Sequence, residues 1–204
     1  MSKEVKTKEK VNMDPKYITT LTVTLLVTCV IVAAALGLVN KVTAGPIAAA
    51  NLEKTNAALA SVFQEASAPE FPEMEVTEEM AAAAGSFSTT VQNVYEAQDG
   101  GQLIGHAVKI VASGSQGSIE MVVGIDAEGT VTGVSIVDNA ETSGIGSRVM
   151  ENENGVLDQF AGKSAADGTL TVGSNVDAIS GATVSSKGVT AGVNGALAVA
   201  GVIG

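Results

Sequence analysis

The chain has 204 residues, room for one ordinary domain with appendages. Hydrophobic residues make up 46% and aromatics only 3%, with no Trp, so a core must be built from Val, Ile, Leu and Ala. The net charge of −11 divides into +2 over residues 1–40 and −13 over residues 41–204, and so acidic a body repels a phosphate backbone and excludes nucleic acid as a partner.

The first element is a membrane anchor. Between Lys16 and Lys41 runs "YITTLTVTLLVTCVIVAAALGLVN", without one charge. As a helix it is about 36 Å long, enough to span the hydrocarbon core with some tilt. A cleaved signal peptide is the rival reading, but its apolar core would usually be about 7–15 residues. Five lysines precede the run, and only Lys41 and Lys54 follow closely. The positive-inside rule then places a tail, residues 1–16, in the cytoplasm, a transmembrane helix at 17–40, and residues 41–204 outside. The localisation expected is the cell (inner) membrane, single-pass. Cys29 lies inside the apolar run, is the sole cysteine and has no intrachain partner, so it forms no redox or metal motif.

A second helix is expected from Pro46 to about Ala66, with Leu52, Thr55, Leu59, Val62 and Phe63 at roughly helical spacing. "SAPEFPEMEVTEEM" then reads as an exposed acidic loop, so residues 41–88 form a connecting helix and loop. From Thr89 the pattern turns to strands. "VQNVYEAQ" and "LIGHAVKIVA" flank the hairpin signal "DGG". In "SIEMVVGID" residues Ile119, Met121, Val123 and Ile125 alternate, and "TVTGVSIVD" follows a short turn. Residues 149–160 read as a short helix and "TLTV" at 169–172 as a strand. The last stretch, from Thr183, is helical, with Val189, Val193 and Leu197 four apart. The fold class expected is α+β, an antiparallel sheet flanked by helices, after a single N-terminal transmembrane helix.

Between "TLTV" and the last helix stands Asp177-Ala178-Ile179-Ser180-Gly181-Ala182-Thr183. Small residues allow close backbone approach, and a hydroxyl at a helix start suits a phosphate. Together with the anchor, this segment resembles the covalent FMN-binding subunit family of the Rnf and Na⁺-translocating NADH:quinone reductase complexes, most closely the Rnf G subunit. The resemblance covers nearly the whole chain. A flavin transferase of that family recognises D-x-x-S/T-G-A-T and links FMN to the last residue through a phosphoester. Carried over, Thr183 is the attachment residue, and Asp177, Ser180, Gly181 and Ala182 complete the motif. Lys187, one turn on, adds a positive charge near the phosphate.

"ETSGIGSRV", from Glu141, resembles the family's E-T-P-G-L-G run, which lines the flavin. Thr142, Gly144, Ile145 and Gly146 carry over, with Ser143 in place of Pro and Ile145 in place of Leu. A lone strand histidine, His106, follows Gly105 where the family often has Tyr, and takes no role.

The resemblance implies a flavin-carrying domain over residues 89–204, covalent FMN as cofactor, and no metal. It implies electron transfer within an ion-translocating oxidoreductase whose other membrane subunits are partners, with no catalysis by the isolated chain. Two alternatives share the cofactor: the C subunit of the quinone reductase, and a stand-alone extracytoplasmic FMN carrier. A colourless solute-binding or structural ectodomain is the alternative from another class.

Overall fold

The structure is a computed structural model that describes residues 14–203; the tail expected at residues 1–16 lies almost wholly outside them. Helix α1 (Pro15–Val62) begins the described chain. Leu25, Leu26, Val30 and Ile31 are all exposed, so apolar side chains surround the helix rather than marking one stripe. Thr19, Thr20, Thr22, Thr24 and Thr28 each donate a hydroxyl to the carbonyl four residues back, at 2.8–2.9 Å. These hydroxyls therefore need no water, which suits a helix in lipid.

The helices expected at 17–40 and at 46–66 are one helix, ending at Val62, with Pro46 inside it. Proline removes one N–H from the ladder, and the Ala-rich stretch after it carries the helix onward. The chain divides into two compact units, the first ending at Ala50 and the second running from Asn51.

The second unit is built on an antiparallel sheet. Its strands are β1 (Pro69–Glu70), β2 (Glu73–Met74), β3 (Thr90–Asp99), β4 (Gln102–Ser113), β5 (Ser118–Asp126) and β6 (Val131–Asn139). The order is β1-β3-β4-β5-β6, with β2 also paired to β3. The four long strands β3–β6 form the antiparallel meander, the larger of the three- and four-stranded versions that the alternation predicts.

The stretch expected as an exposed loop, 67–80, is more ordered than that. It adds β1 and β2 to the β3 edge, where proline does no harm. It also starts helix α2 (Glu78–Gly85), capped by Thr77, whose side chain accepts from the Met80 N–H at 3.2 Å.

Each face of the sheet buries its own cluster. On one face the last turns of α1 bring Ala58, Leu59, Val62 and Phe63 against Ala97, Ala107, Val122 and Val137. Gly124 and Gly133 pair directly across β5 and β6 and leave a notch for Val62. The Thr132 hydroxyl donates to the Val62 carbonyl at 2.6 Å and closes the helix end. On the other face Val94, Val108, Ile110, Met121 and Val123 pack with Ala84 of α2 and with Val189, Val193 and Ala196 of helix α4 (Thr183–Ile203).

Between β6 and α4 the chain is irregular. The helix expected at 149–160 is instead helix α3 (Ser147–Met150) and two single 3-10 turns, 153–155 and 158–160. Asn152 and Asn154 have φ of 55° and 56°, a left-handed backbone that no α-helix can pass through. The expected strand at "TLTV" is absent: Val172 makes one isolated bridge to Val176. The buried Asn194 amide takes up the Leu170 N–H and C=O instead, each at 2.9 Å.

Candidate functional site

The segment before α4 is a turn that delivers a hydroxyl to a helix start. Ala182 N–H donates to Ile179 C=O at 2.9 Å, and Gly181, with φ of 85°, takes the position where such a turn needs a positive φ. Ser186 N–H then donates to Ala182 C=O at 3.0 Å, so Thr183 is the first helical residue. By helix geometry the N–H groups of Thr183, Val184 and Ser185 have no carbonyl a turn behind them. Ala182 is buried and fixes the turn, while Ser180, Gly181 and Thr183 are exposed. Among the described residues the Thr183 hydroxyl has no hydrogen-bond partner.

Two polar side chains hold the approach to this turn. Gln159 brackets the Asp177 main chain, accepting from its N–H at 2.7 Å and donating to its C=O at 3.0 Å. That leaves the Asp177 carboxylate exposed. Arg148 donates to the Ser180 C=O at 3.3 Å and makes a two-pronged pair with Glu153, both bonds 2.6 Å. The hydrogen bond from Arg148 is the main cause holding the Glu153 carboxyl below the usual carboxylate range.

The second motif lies beside the first. Thr142 C=O accepts from the N–H groups of Ile145 and Ser147, both at 3.3 Å, and Gly144 N–H donates to Ser147 Oγ at 2.9 Å. The resulting tight loop exposes Thr142, Gly144 and Ile145 and buries Gly146. Glu141, just before it, accepts a hydrogen bond from Ser185 of α4 at 2.6 Å. The structure thus brings both sequence motifs to the N-terminal end of α4. Lys187 sits elsewhere on that helix, lining a groove of about 190 Å³ with Phe87, Leu170 and Asn194. His106 is half-buried on β4, across from Glu96 on β3, and belongs to neither motif.

These groups suit a phosphate ester: free N–H donors, an exposed hydroxyl and a bare glycine backbone, with no carboxylate hydrogen-bonded to the Thr183 side chain. A larger cavity, about 590 Å³ beside the end of α1, is lined by Glu65, Asp99, Asp126 and Asp158. Its carboxylates disfavour a phosphate. The sequence motifs include Glu141 and Arg148 without assigning either a role, and they leave out Gln159 and Ser185. Only Ser185 carries a sequence signal, a hydroxyl within the first turn of the last helix.

Comparison with known proteins bears on the same region. The FMN-binding domain family matches residues 114–198, which contain both motifs. The G subunit of the Na⁺-translocating ferredoxin:NAD⁺ oxidoreductase complex of Acetobacterium woodii is 36% identical over 199 residues, 93% of this chain and 95% of that one. The G subunit of the ion-translocating oxidoreductase complex of Methanosarcina acetivorans is 30% identical over 187 residues, 90% and 95% of the two chains. The crystal structure of Shewanella oneidensis NqrC aligns over 60% of this chain and 62% of that one, at 24% identity and a TM-score of 0.43.

Proposed function

The chain belongs to the family of Rnf G subunits, and from that membership we propose that it is a membrane flavoprotein that carries FMN bonded to Thr183. It is the flavoprotein subunit of an ion-translocating ferredoxin:NAD⁺ oxidoreductase, whose other subunits are its partners. The observation that carries the attachment site is the exposed Thr183 hydroxyl beside three N–H groups left open by the helix start.

A flavin transferase reads the exposed side chains of Asp177 and Ser180, and the bare backbone of Gly181 lets it come close. The Thr183 hydroxyl takes the flavin phosphoryl group from FAD: an Oγ–P bond forms, the diphosphate P–O bond breaks with AMP leaving, and the hydroxyl proton passes to solvent. The N–H groups of Thr183, Val184 and Ser185 then stabilise the phosphate charge. Thr142 offers one hydrogen bond to the ring, and Gly144 and Ile145 give it a backbone and apolar surface, with the buried Gly146 behind them. Bound there, FMN supplies the electron transfer, and residues 89–204 hold it.

The N-terminus lies in the cytoplasm, α1 crosses the membrane once and the flavin domain lies outside, as the lysine asymmetry indicates. Protease added to sealed spheroplasts should digest the domain and spare an N-terminal tag; a protected domain would reverse the topology. Acid-denatured protein from a host with the transferase should keep flavin fluorescence on a gel and add the mass of one FMN, less water. Thr183→Val should lose both. Fluorescence surviving in that variant would move the attachment elsewhere.

A further inference from the structure

We infer that Glu141 is a positioning residue that fixes the attachment helix to the ring-facing loop through its carboxylate. The inference deepens the reading above and rests on it for what the two segments do.

Three separate segments meet on this one side chain. Oε1 accepts from the N–H groups of Ser115, at 2.7 Å, and Gln116, at 3.3 Å, in the turn between β4 and β5. Oε2 accepts from the Ser185 hydroxyl, at 2.6 Å, two residues beyond Thr183. The main chain of Glu141 leads directly into the loop Thr142–Gly146, and its own N–H is held by Asn139 Oδ1 at 3.1 Å. Among the described residues no Lys, Arg or His pairs with it, so its three donors are all neutral.

The surrounding residues make room for this carboxylate. A Cβ at Gly114 would collide with Oε1, and one at Gly146 would collide with Oε2. Both glycines are therefore required by the side chain between them, apart from any approach of a ligand. Ser185 is buried, so its hydroxyl needs a partner inside the protein, and Glu141 is that partner. An ionised carboxylate accepts at both oxygens, which is what three converging donors require. The consequence is that loop and helix cannot shift independently: moving either one breaks the bond between Oε2 and Ser185.

The test uses the full chain in detergent, first made without the transferase and then with it. In the cofactor-free protein Glu141→Ala should raise amide exchange about tenfold, both at residues 142–147 and at residues 186–189, as expected for a lost hydrogen bond to a charged acceptor. Glu141→Gln keeps the shape, its oxygen accepting from the turn N–H groups and its NH2 donating to the Ser185 hydroxyl, and should stay near wild type. Ser185→Ala cuts only the arm to α4 and should raise exchange in the loop, which it does not otherwise touch. In the loaded protein, Glu141→Ala should alter the visible flavin spectrum and lower its fluorescence anisotropy, while Glu141→Gln restores both.

Exchange in Ser185→Ala unchanged at residues 142–147 would overturn the inference. So would a flavin spectrum in Glu141→Ala identical to wild type. If Glu141→Ala loses protection throughout the sheet, Ser185→Ala alone decides. Wild-type protein that leaves the transferase host without bound flavin would sink the attachment reading and leave the exchange result standing.

Discussion

The four-stranded meander and the stretch from Ala140 to Ala182 share one apolar core but hold their main chains differently. The meander is a hydrogen-bonded ladder with both faces covered, and Val94, Val108, Ile110, Met121, Val122 and Val123 are fully buried in it. In the other stretch side-chain amides and carboxylates grip the main chain: Asn152 at Leu157, Gln159 at Asp177, Asp167 at Ser164, Asn175 at Thr171 and Asn194 at Leu170. Burial is collective, because a cavity is felt by every neighbour. A single hydrogen bond contributes only about 1 kcal/mol and acts on its own segment. The scaffold is therefore rigid as one body. The segments that carry the two motifs are anchored in the same core by Val149, Phe160, Val176 and Ile179, but their main chain is set one contact at a time.

The largest effect should come from the meander. Ile110→Ala should cost about 2–5 kcal/mol in chemical denaturation of the detergent-solubilised chain, with amide exchange faster across the whole sheet. A loss confined to β4 would show that the sheet does not unfold as a unit.

Asn194→Leu should come next, at about 2–3 kcal/mol, since it leaves the Leu170 N–H and C=O unpaired in a buried place. Faster exchange should be confined to residues 168–176. If it spreads into β3–β6 as it does for Ile110→Ala, the two regions are not separate and the contrast fails.

The smallest effect concerns His106. Burial pushes its pKa below the usual 6.5, with the Glu96 carboxylate acting weakly the other way. The unfolded chain therefore binds more protons than the folded one as pH falls below about 6.5, and stability declines in that direction. Above that pH the histidine is neutral in both states and contributes no slope. His106→Gln should flatten the fall in Tm between pH 7.5 and 5.5. An unchanged fall would assign it to carboxylates, of which Glu153 is held low by Arg148 and loses its contribution as pH falls further.

The same contrast explains what the sequence disclosed. Ile119, Met121, Val123 and Ile125 alternate because one face of β5 meets α4, so the strand could be read from period alone. The apolar spacing at Val149, Val156 and Phe160 imitated a helix, and only the left-handed backbone at Asn152 and Asn154 prevents one. That conformation depends on bonds to Leu157 and Asp158, which no local pattern announces. Helix α2 was legible in principle, from Thr77 ahead of two glutamates and an alanine run, but the prolines before it suggested a loop. Both motifs of the candidate site were visible as strings of small residues. The roles of Gln159, Arg148 and Ser185 were not, because each acts on a residue 18–44 positions away in the chain.

Gly181 separates two demands that usually travel together. A Cβ built there would meet nothing within 4 Å, yet its φ of 85° is one that an L-amino acid avoids. Space is free and handedness is not. An L-alanine should cost about 1–2 kcal/mol in the turn, whereas a D-alanine, introduced by chemical ligation, prefers that same quadrant and should leave the fold intact. Under the proposed attachment, a fall in flavin loading with it would measure how closely a transferase must approach that backbone, with the fold of the turn unchanged.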